Sequence, residues 1–177
     1  MSRPGQLGER VAGLIREVPD FPAAGVLFRD ITPLLADGPT FAAVVEAICA
    51  RHSGGFDVVA GIEARGFLLA GAIGHSTGVG IVPIRKAGKL PWHTVRAAYT
   101  LEYGEAAVEV HADAVAPGQR VLVVDDVLAT GGTLGAAVQV IDDLDAEVTG
   151  ISVLLELAEL GGRARLTGHD VHAVLTV

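Results

Sequence analysis

Cysteine and lysine are almost missing from this chain of 177 residues: Cys49 stands alone, and Lys86 and Lys89 are the two lysines. A single cysteine excludes an intrachain disulfide. With six histidines scattered along the chain, it also offers no zinc-ligand spacing. Cys49 ends the run Phe41-Ala42-Ala43-Val44-Val45-Glu46-Ala47-Ile48-Cys49, where a small core residue on a helix is expected. Long apolar runs are missing too, since the richest stretches are broken by Gly, Pro or charge. None approaches the ~20 apolar residues of a membrane-crossing helix. Met1 to Arg10 lacks the apolar centre of a signal peptide, so a cytoplasmic protein with no membrane partner is expected. The net charge of −8 and pI near 5.1 leave no broad basic face, and no nucleic-acid partner is expected.

What is present is apolar and regular. Half of the residues are hydrophobic, too many for a disordered chain. The length suits one compact domain over 1–177. Helices are predicted at about 5–17, 40–52 (with Thr40 as N-cap after Pro39), 65–76 and 132–144. Strands are predicted at 57–62, 79–84, 120–125, 147–155 and 170–177. Residues 86–95 read as a loop. Tyr99 to Tyr103 and Ala106 to His111, flanking Gly104-Glu105, read as an exposed hairpin. Strands alternating with helices imply an α/β fold with a central parallel sheet flanked by helices.

The strongest motif is Val121-Leu122-Val123-Val124-Asp125-Asp126-Val127-Leu128-Ala129-Thr130-Gly131-Gly132-Thr133. Its unbroken aliphatic run suits a central strand buried on both faces, and ligands of parallel sheets bind beyond such strand ends. Ala129, Thr130, Gly131, Gly132 and Thr133 offer successive backbone N–H groups with little side-chain bulk, at the start of a helix. That is a cradle for a phosphate monoester. Asp125 and Asp126 repel each other unless a ribose diol or a magnesium ion offsets their charge. Strand, acid pair and cradle together suit a ribose 5-phosphate. A phosphorelay receiver domain also has a strand ending in two acids, but near its start and with a later lysine, and no lysine follows Lys89.

Both lysines fall in Arg85-Lys86-Ala87-Gly88-Lys89-Leu90-Pro91. Three cations within five residues of an acidic chain suit a polyanion such as pyrophosphate, which they would attract locally. Gly88 would let this loop close over the reactants. Arg65, at a second strand-to-helix turn, fits the same ligand.

The thirteen-residue run resembles the phosphoribosyl pyrophosphate (PRPP) signature of type I phosphoribosyltransferases. Three further segments are similar to the adenine-specific branch of that family. They are Phe21 to Leu35, Gly61 to Phe67, and Arg85 to Pro91 followed by Leu101-Glu102-Tyr103-Gly104. The resemblance spans about residues 18 to 165. It implies a small N-terminal hood at about 18–35 and a mobile loop at about 86–103. It implies that Phe28 stacks on adenine, that Leu27 and Leu157 wall it, and that the backbone at Leu27 and Arg29 reads its edge. Pyrophosphate falls to Arg65, Arg85, Lys86 and Lys89, and the ribose hydroxyls to Asp125 and Asp126. Glu102 becomes the acid/base group, with Tyr103 positioning the loop. The expected cofactor is Mg²⁺ held mainly by substrate oxygens, and the expected assembly is a homodimer. Two departures stand out: Ala24 replaces a common proline, and Trp92 and His93 interrupt a usually polar stretch. A non-enzymatic PRPP-sensing regulator and a transferase for another base are the alternatives.

Overall fold

A computed structural model describes residues 4–101 and 104–177, with side chains from 6 to 99 and from 106 to 177. The chain divides into two compact units, Met1–Ala47 and Ile48–Val177.

In the first unit, α1 (Pro4–Ala12) buries Leu7 and Val11 on one face, the i, i+4 spacing of a helical stripe. The sequence places this helix as far as about residue 17, but the chain turns at Gly13. Arg16–Pro19 instead forms strand β1, antiparallel to β2 (Leu27–Asp30). Partners more than ten residues away decide this segment, since Arg29 Nη1 donates to Glu17 Oε1 at 2.6 Å across the pair. Two helices follow, α2 (Thr32–Ala36) and α3 (Gly38–Arg51), the latter running on into the second unit. Thr40 is not the cap expected of it. The Asp37 carboxylate accepts the Thr40 N–H at 2.9 Å, and the helix begins at Gly38. Proline sits well within a first turn, so Pro39 does not mark the boundary. The Thr40 hydroxyl accepts from Arg10 Nη2 at 2.8 Å instead.

The second unit holds a seven-stranded sheet in the order β5-β6-β4-β3-β7-β8-β9. Its strands are β3 (Val58–Ile62), β4 (Gly80–Lys86), β5 (Thr94–Leu101), β6 (Gly104–His111), β7 (Arg120–Leu128), β8 (Glu147–Glu156) and β9 (Val171–Thr176). From β4 through β9 neighbouring strands run parallel, while β6 pairs antiparallel with both β4 and β5. Helix α4 (Gly66–Thr77) follows β3, and α5 (Gly132–Asp142) follows β7.

Side chains of β3 and β7 are buried on both faces. Ala60, Ile62, Val121 and Val123 join Leu134, Ala137 and Ile141 of α5 in one core. The alternate residues face α4, and Gly61 is needed there, because a Cβ would lie 2.7 Å from that of Ala70. Alternation thus puts the two helices on opposite faces of the sheet. The hairpin is less exposed than its mixed sequence suggests, for Val108, Glu109 and Val110 are all 1% exposed or less.

Candidate active site

Because β3, β4, β7 and β8 are parallel, their carboxyl ends share one edge of the sheet, the edge where such folds bind ligands. Four segments meet there: Glu63 to Gly66, Lys86 to Leu90, Asp125 to Thr133, and Leu157.

The loop after β7 forms a cleft lined by Asp125 and by Val127 through Leu134, so the structure brings the whole expected cradle together. Gly131 is the residue before α5 and has φ +80, a left-handed conformation in which other residues are strained. Leading into the helix from there, the first N–H groups have no intrahelical acceptor and are available to an anion. The wall behind the cradle was not visible in the sequence. Gly162, in the 3₁₀ segment Gly162–Leu166, meets the loop backbone to backbone. A Cβ on Gly131 would collide with the Gly162 carbonyl, and one on Gly162 with the Ala129 carbonyl. This wall is clamped by Arg163. Its Nε donates to Glu156 Oε1 at 2.9 Å, and its Nη1 to the Val171 carbonyl at 2.7 Å.

Asp125 and Asp126 are 8% and 6% exposed. The Asp126 N–H donates to Asp125 Oδ1 at 2.9 Å. Arg65 Nε lies 2.9 Å from Asp126 Oδ2. That contact is an ion pair in distance but poorly directed, so among the described residues this buried oxygen accepts no hydrogen bond. It is an acceptor waiting for a donor, as a sugar hydroxyl would be. Burial, and then the charge of Asp126, push the Asp125 carboxyl well above the usual carboxylate range. The first residue of α4 makes this crowding possible, because a Cβ on Gly66 would stand 2.8 Å from the Val124 carbonyl oxygen and 3.1 Å from Asp125 Oδ1.

The Asp125 shift has a consequence for stability. The folded chain holds this proton more tightly than the unfolded chain does. Its contribution is complete below the unfolded value of about 3.9 and is lost as pH rises through the folded value. Asp125→Asn is therefore expected to flatten the decline of the urea midpoint as pH is raised from about 4 toward neutrality. Equal slopes for variant and wild type would contradict this.

The cationic loop is more structured than the sequence implies. Arg85 is engaged with protein groups: its Nε and Nη2 donate to Glu63 at 3.1 and 3.2 Å, and its Nη1 to the Lys89 carbonyl at 3.0 Å. Glu63 also accepts the Lys86 N–H at 3.1 Å, and the Arg85 hydrogen bonds hold its carboxyl below the ordinary value. Lys86 and Lys89 are exposed, and their ammonium groups make no salt bridge among the described residues. The sequence places Glu109, on β6, in an exposed hairpin. Its Oε1 accepts the Lys89 and Leu90 N–H groups, both at 2.8 Å, and its Oε2 lies 2.8 Å from Arg96 Nε. Burial raises its carboxyl, yet the N–H groups of Leu90, Gly88 and Lys89 and the charge of Arg96 outweigh that and hold it at about 2.

Of the residues expected at the base, Leu27, Phe28 and Arg29 lie on β2 of the first unit. Leu27 is exposed, and the Phe28 ring stands 5.0 Å from that of Phe21, edge to face. Leu157 directly follows β8, and its N–H donates to the Leu128 carbonyl at 2.9 Å. Glu102 and Tyr103 lie outside the described residues. Trp92 is 66% exposed, and its ring stacks edgewise on His93 at 5.1 Å. Cys49 is a half-buried free thiol on α3, which burial makes less acidic.

Comparison with known proteins agrees with this geometry. Residues 34–172 match the phosphoribosyl transferase domain. The adenine phosphoribosyltransferase of Clavibacter michiganensis is 59% identical over 167 residues, 94% of this chain and 95% of that protein. That of Acidothermus cellulolyticus is 53% identical over 175 residues, 98% of this chain and 99% of that protein. Among solved structures, adenine phosphoribosyltransferase from Thermoanaerobacter pseudethanolicus superposes with a TM-score of 0.92 at 45% identity, over 96% of this chain and 99% of the other. The Saccharomyces cerevisiae enzyme, in complex with an imino-altritol bisphosphate and adenine, superposes with a TM-score of 0.91 at 31% identity, over 96% and 99%. A parallel sheet whose edge carries an acid pair, a glycine cradle and a two-lysine loop, matched along nearly its whole length, places this chain in the adenine phosphoribosyltransferase family.

Proposed function

We propose that Ala129, Thr130, Gly131, Gly132 and Thr133 hold the 5-phosphate of PRPP while Asp125 and Asp126 hold its ribose hydroxyls, as the chain transfers the phosphoribosyl group to adenine. Lys86 and Lys89, with Arg65, take the diphosphate. Arg85 supports them from its bond to the Lys89 carbonyl rather than from a free guanidinium. Phe28, with the backbone of Leu27 and Arg29, is assigned to adenine, as is Leu157 of the second unit. Glu102 is assigned the proton exchanged on the purine.

The chemistry is one substitution at C1 of the sugar. The C1–O bond breaks and its electron pair leaves with pyrophosphate. Adenine N9 forms the new bond from the opposite face, and its proton departs as AMP forms. Fixed N–H groups and cations lower the barrier by meeting charge where it develops, without reorganisation. A closed loop would keep water from the activated sugar.

The donor set suits Mg²⁺ held mainly by substrate. Magnesium keeps waters and phosphate oxygens in its shell and is bound through one or two carboxylates. The residues facing it would be Asp125 and Asp126, whose buried carboxyl groups lie side by side at the strand end. When bound, the ion neutralises the charge of the leaving diphosphate. We assign the enzyme to the cytoplasm as a homodimer, on the family pattern; no helix among the described residues is long and apolar enough to cross a membrane.

The observation that supports this reading most strongly is the convergence of acid pair, glycine cradle and lysine loop on one sheet edge. The test is a substrate panel with PRPP and Mg²⁺ and, separately, adenine, hypoxanthine, guanine, xanthine or orotate, following product nucleotide. AMP from adenine is expected, and excess chelator is expected to stop it. Preference for another base would overturn the adenine assignment, and full activity in chelator would remove the metal.

A further inference from the structure

Glu109 is a charge buried in an unexpected place. It sits on β6, between β4 and β5, paired with Arg85 on one side and Arg96 on the other. The chain must cross β6 to pass from β4 to β5, and residues 87–93 make that crossing. Glu109 holds both ends of it. One oxygen takes the Lys89 and Leu90 N–H groups as the chain leaves β4. The other lies 3.3 Å from the Thr94 hydroxyl and 2.8 Å from Arg96 Nε, where β5 begins.

Folding alone does not require this. The Lys89 and Leu90 N–H groups are only part-buried, with Lys89 exposed and Leu90 half-buried, so a neutral acceptor or water could serve them, whereas the Glu109 side chain is 0% exposed and burying a carboxylate is expensive. What the arrangement achieves is a fixed backbone under an ammonium that makes no salt bridge among the described residues. The Lys89 N–H is bound by Glu109, and its carbonyl is bound by Arg85, itself braced by Glu63. The ammonium is left to a ligand.

We propose that Glu109 is a positioning residue for the transfer reaction, presetting the 87–93 crossing so that Lys86 and Lys89 meet the diphosphate without first being ordered by it. This rests on the assignment of that loop to the diphosphate. Prior fixing of a binding loop raises affinity by removing the ordering cost from the binding step.

The test compares Glu109→Gln, Glu109→Asp and Lys89→Met with wild type, reading KM for PRPP, KM for adenine, kcat, inhibition by pyrophosphate, and amide exchange of residues 88–90 without ligand. For Glu109→Gln, KM for PRPP and the inhibition constant of pyrophosphate are expected to rise about 10-fold together, with KM for adenine and kcat within about twofold. Exchange at 88–90 is expected to quicken. Glu109→Asp keeps the charge opposite Arg96 but is one carbon short of the loop. It should show the same split, more weakly, and stands in should the glutamine variant fail to fold. If Lys89→Met raises KM for PRPP and both Glu109 variants leave it unchanged, the positioning role is wrong and the loop assignment survives. If Lys89→Met also leaves it unchanged, the loop assignment falls and the proposal with it. A parallel rise in both KM values, tracking lost thermal stability, would reduce Glu109 to a structural residue and overturn the proposal.

Discussion

Gly162→Ala is expected to lower kcat/KM for PRPP by about 100-fold, the scale of effect that a displacement near 1 Å can have on a positioned group. The substitution adds one methyl group, outside the motif proposed to hold the ligand. Its Cβ would collide with the Ala129 carbonyl oxygen and stand 2.8 Å from the Gly131 nitrogen and 2.9 Å from Leu128 Cδ1. Two of these three atoms are backbone and cannot rotate away. The wall itself has little freedom to retreat, because Arg163 ties it to Glu156 and to β9. The cradle must move, and with it the N–H groups assigned to the phosphate. Overpacking of this kind also costs about 1–3 kcal/mol of stability. Gly135→Ala is the control. It lies in α5, where a Cβ meets nothing within 4 Å, so it should add about 0.5–1 kcal/mol of stability and leave kcat/KM unchanged. A Gly162→Ala enzyme with wild-type kcat/KM would show that the wall does not shape the cradle.

Arg65→Ala is expected to raise KM for PRPP by about 10-fold, the scale of one lost charge-assisted contact of about 1.5 kcal/mol. Two losses combine. On the proposed assignment the diphosphate loses a guanidinium, and Asp126 loses the cation 2.9 Å from its buried oxygen. Arg65 is 37% exposed on its side chain, so solvent screens part of the second loss. The pH dependence separates the two. The Arg65 charge lowers the Asp125 carboxyl against burial and the charge of Asp126. Without it, the acid pair keeps a proton to higher pH, and the acid limb of kcat/KM for PRPP moves upward. Loss of a diphosphate contact alone would leave that limb in place. Millimolar guanidinium ion should partly restore the wild-type profile. An unmoved limb would mean that Arg65 does not govern the charge of the acid pair.

The parts of this site that were legible in the sequence are those whose chemistry is local. Strand β7 announces itself through an unbroken aliphatic run, and the cradle through consecutive small residues after two acids. What escaped depends on partners far along the chain. Glu109 lies between two valines and reads as the solvent side of a hairpin until the crossing loop covers it. Gly162 sits in a glycine pair that any turn could contain, and its importance comes from Ala129 and Gly131 some thirty residues earlier. Arg85 reads as a free cation beside two lysines because its partner, Glu63, ends a different strand. The misplaced boundaries have the same origin. Arg16 to Pro19 are extended because β2 pairs with them, and Asp37 takes the cap from Thr40 because Pro39 fits inside the first turn as readily as before it.

The strand order also bears on how the protein is made. The chain leaves the ribosome with β3 long before β7, yet β7 is the strand that covers one side of β3. Between the emergence of Ile62 and that of Arg120, the nascent chain holds a fully apolar strand with an uncovered hydrogen-bonding edge, the feature that invites pairing with a neighbouring chain. The segment that fills this gap is the same one that ends in the acid pair and cradle, so the strand that shields the newborn protein from its neighbours also delivers its ligand site.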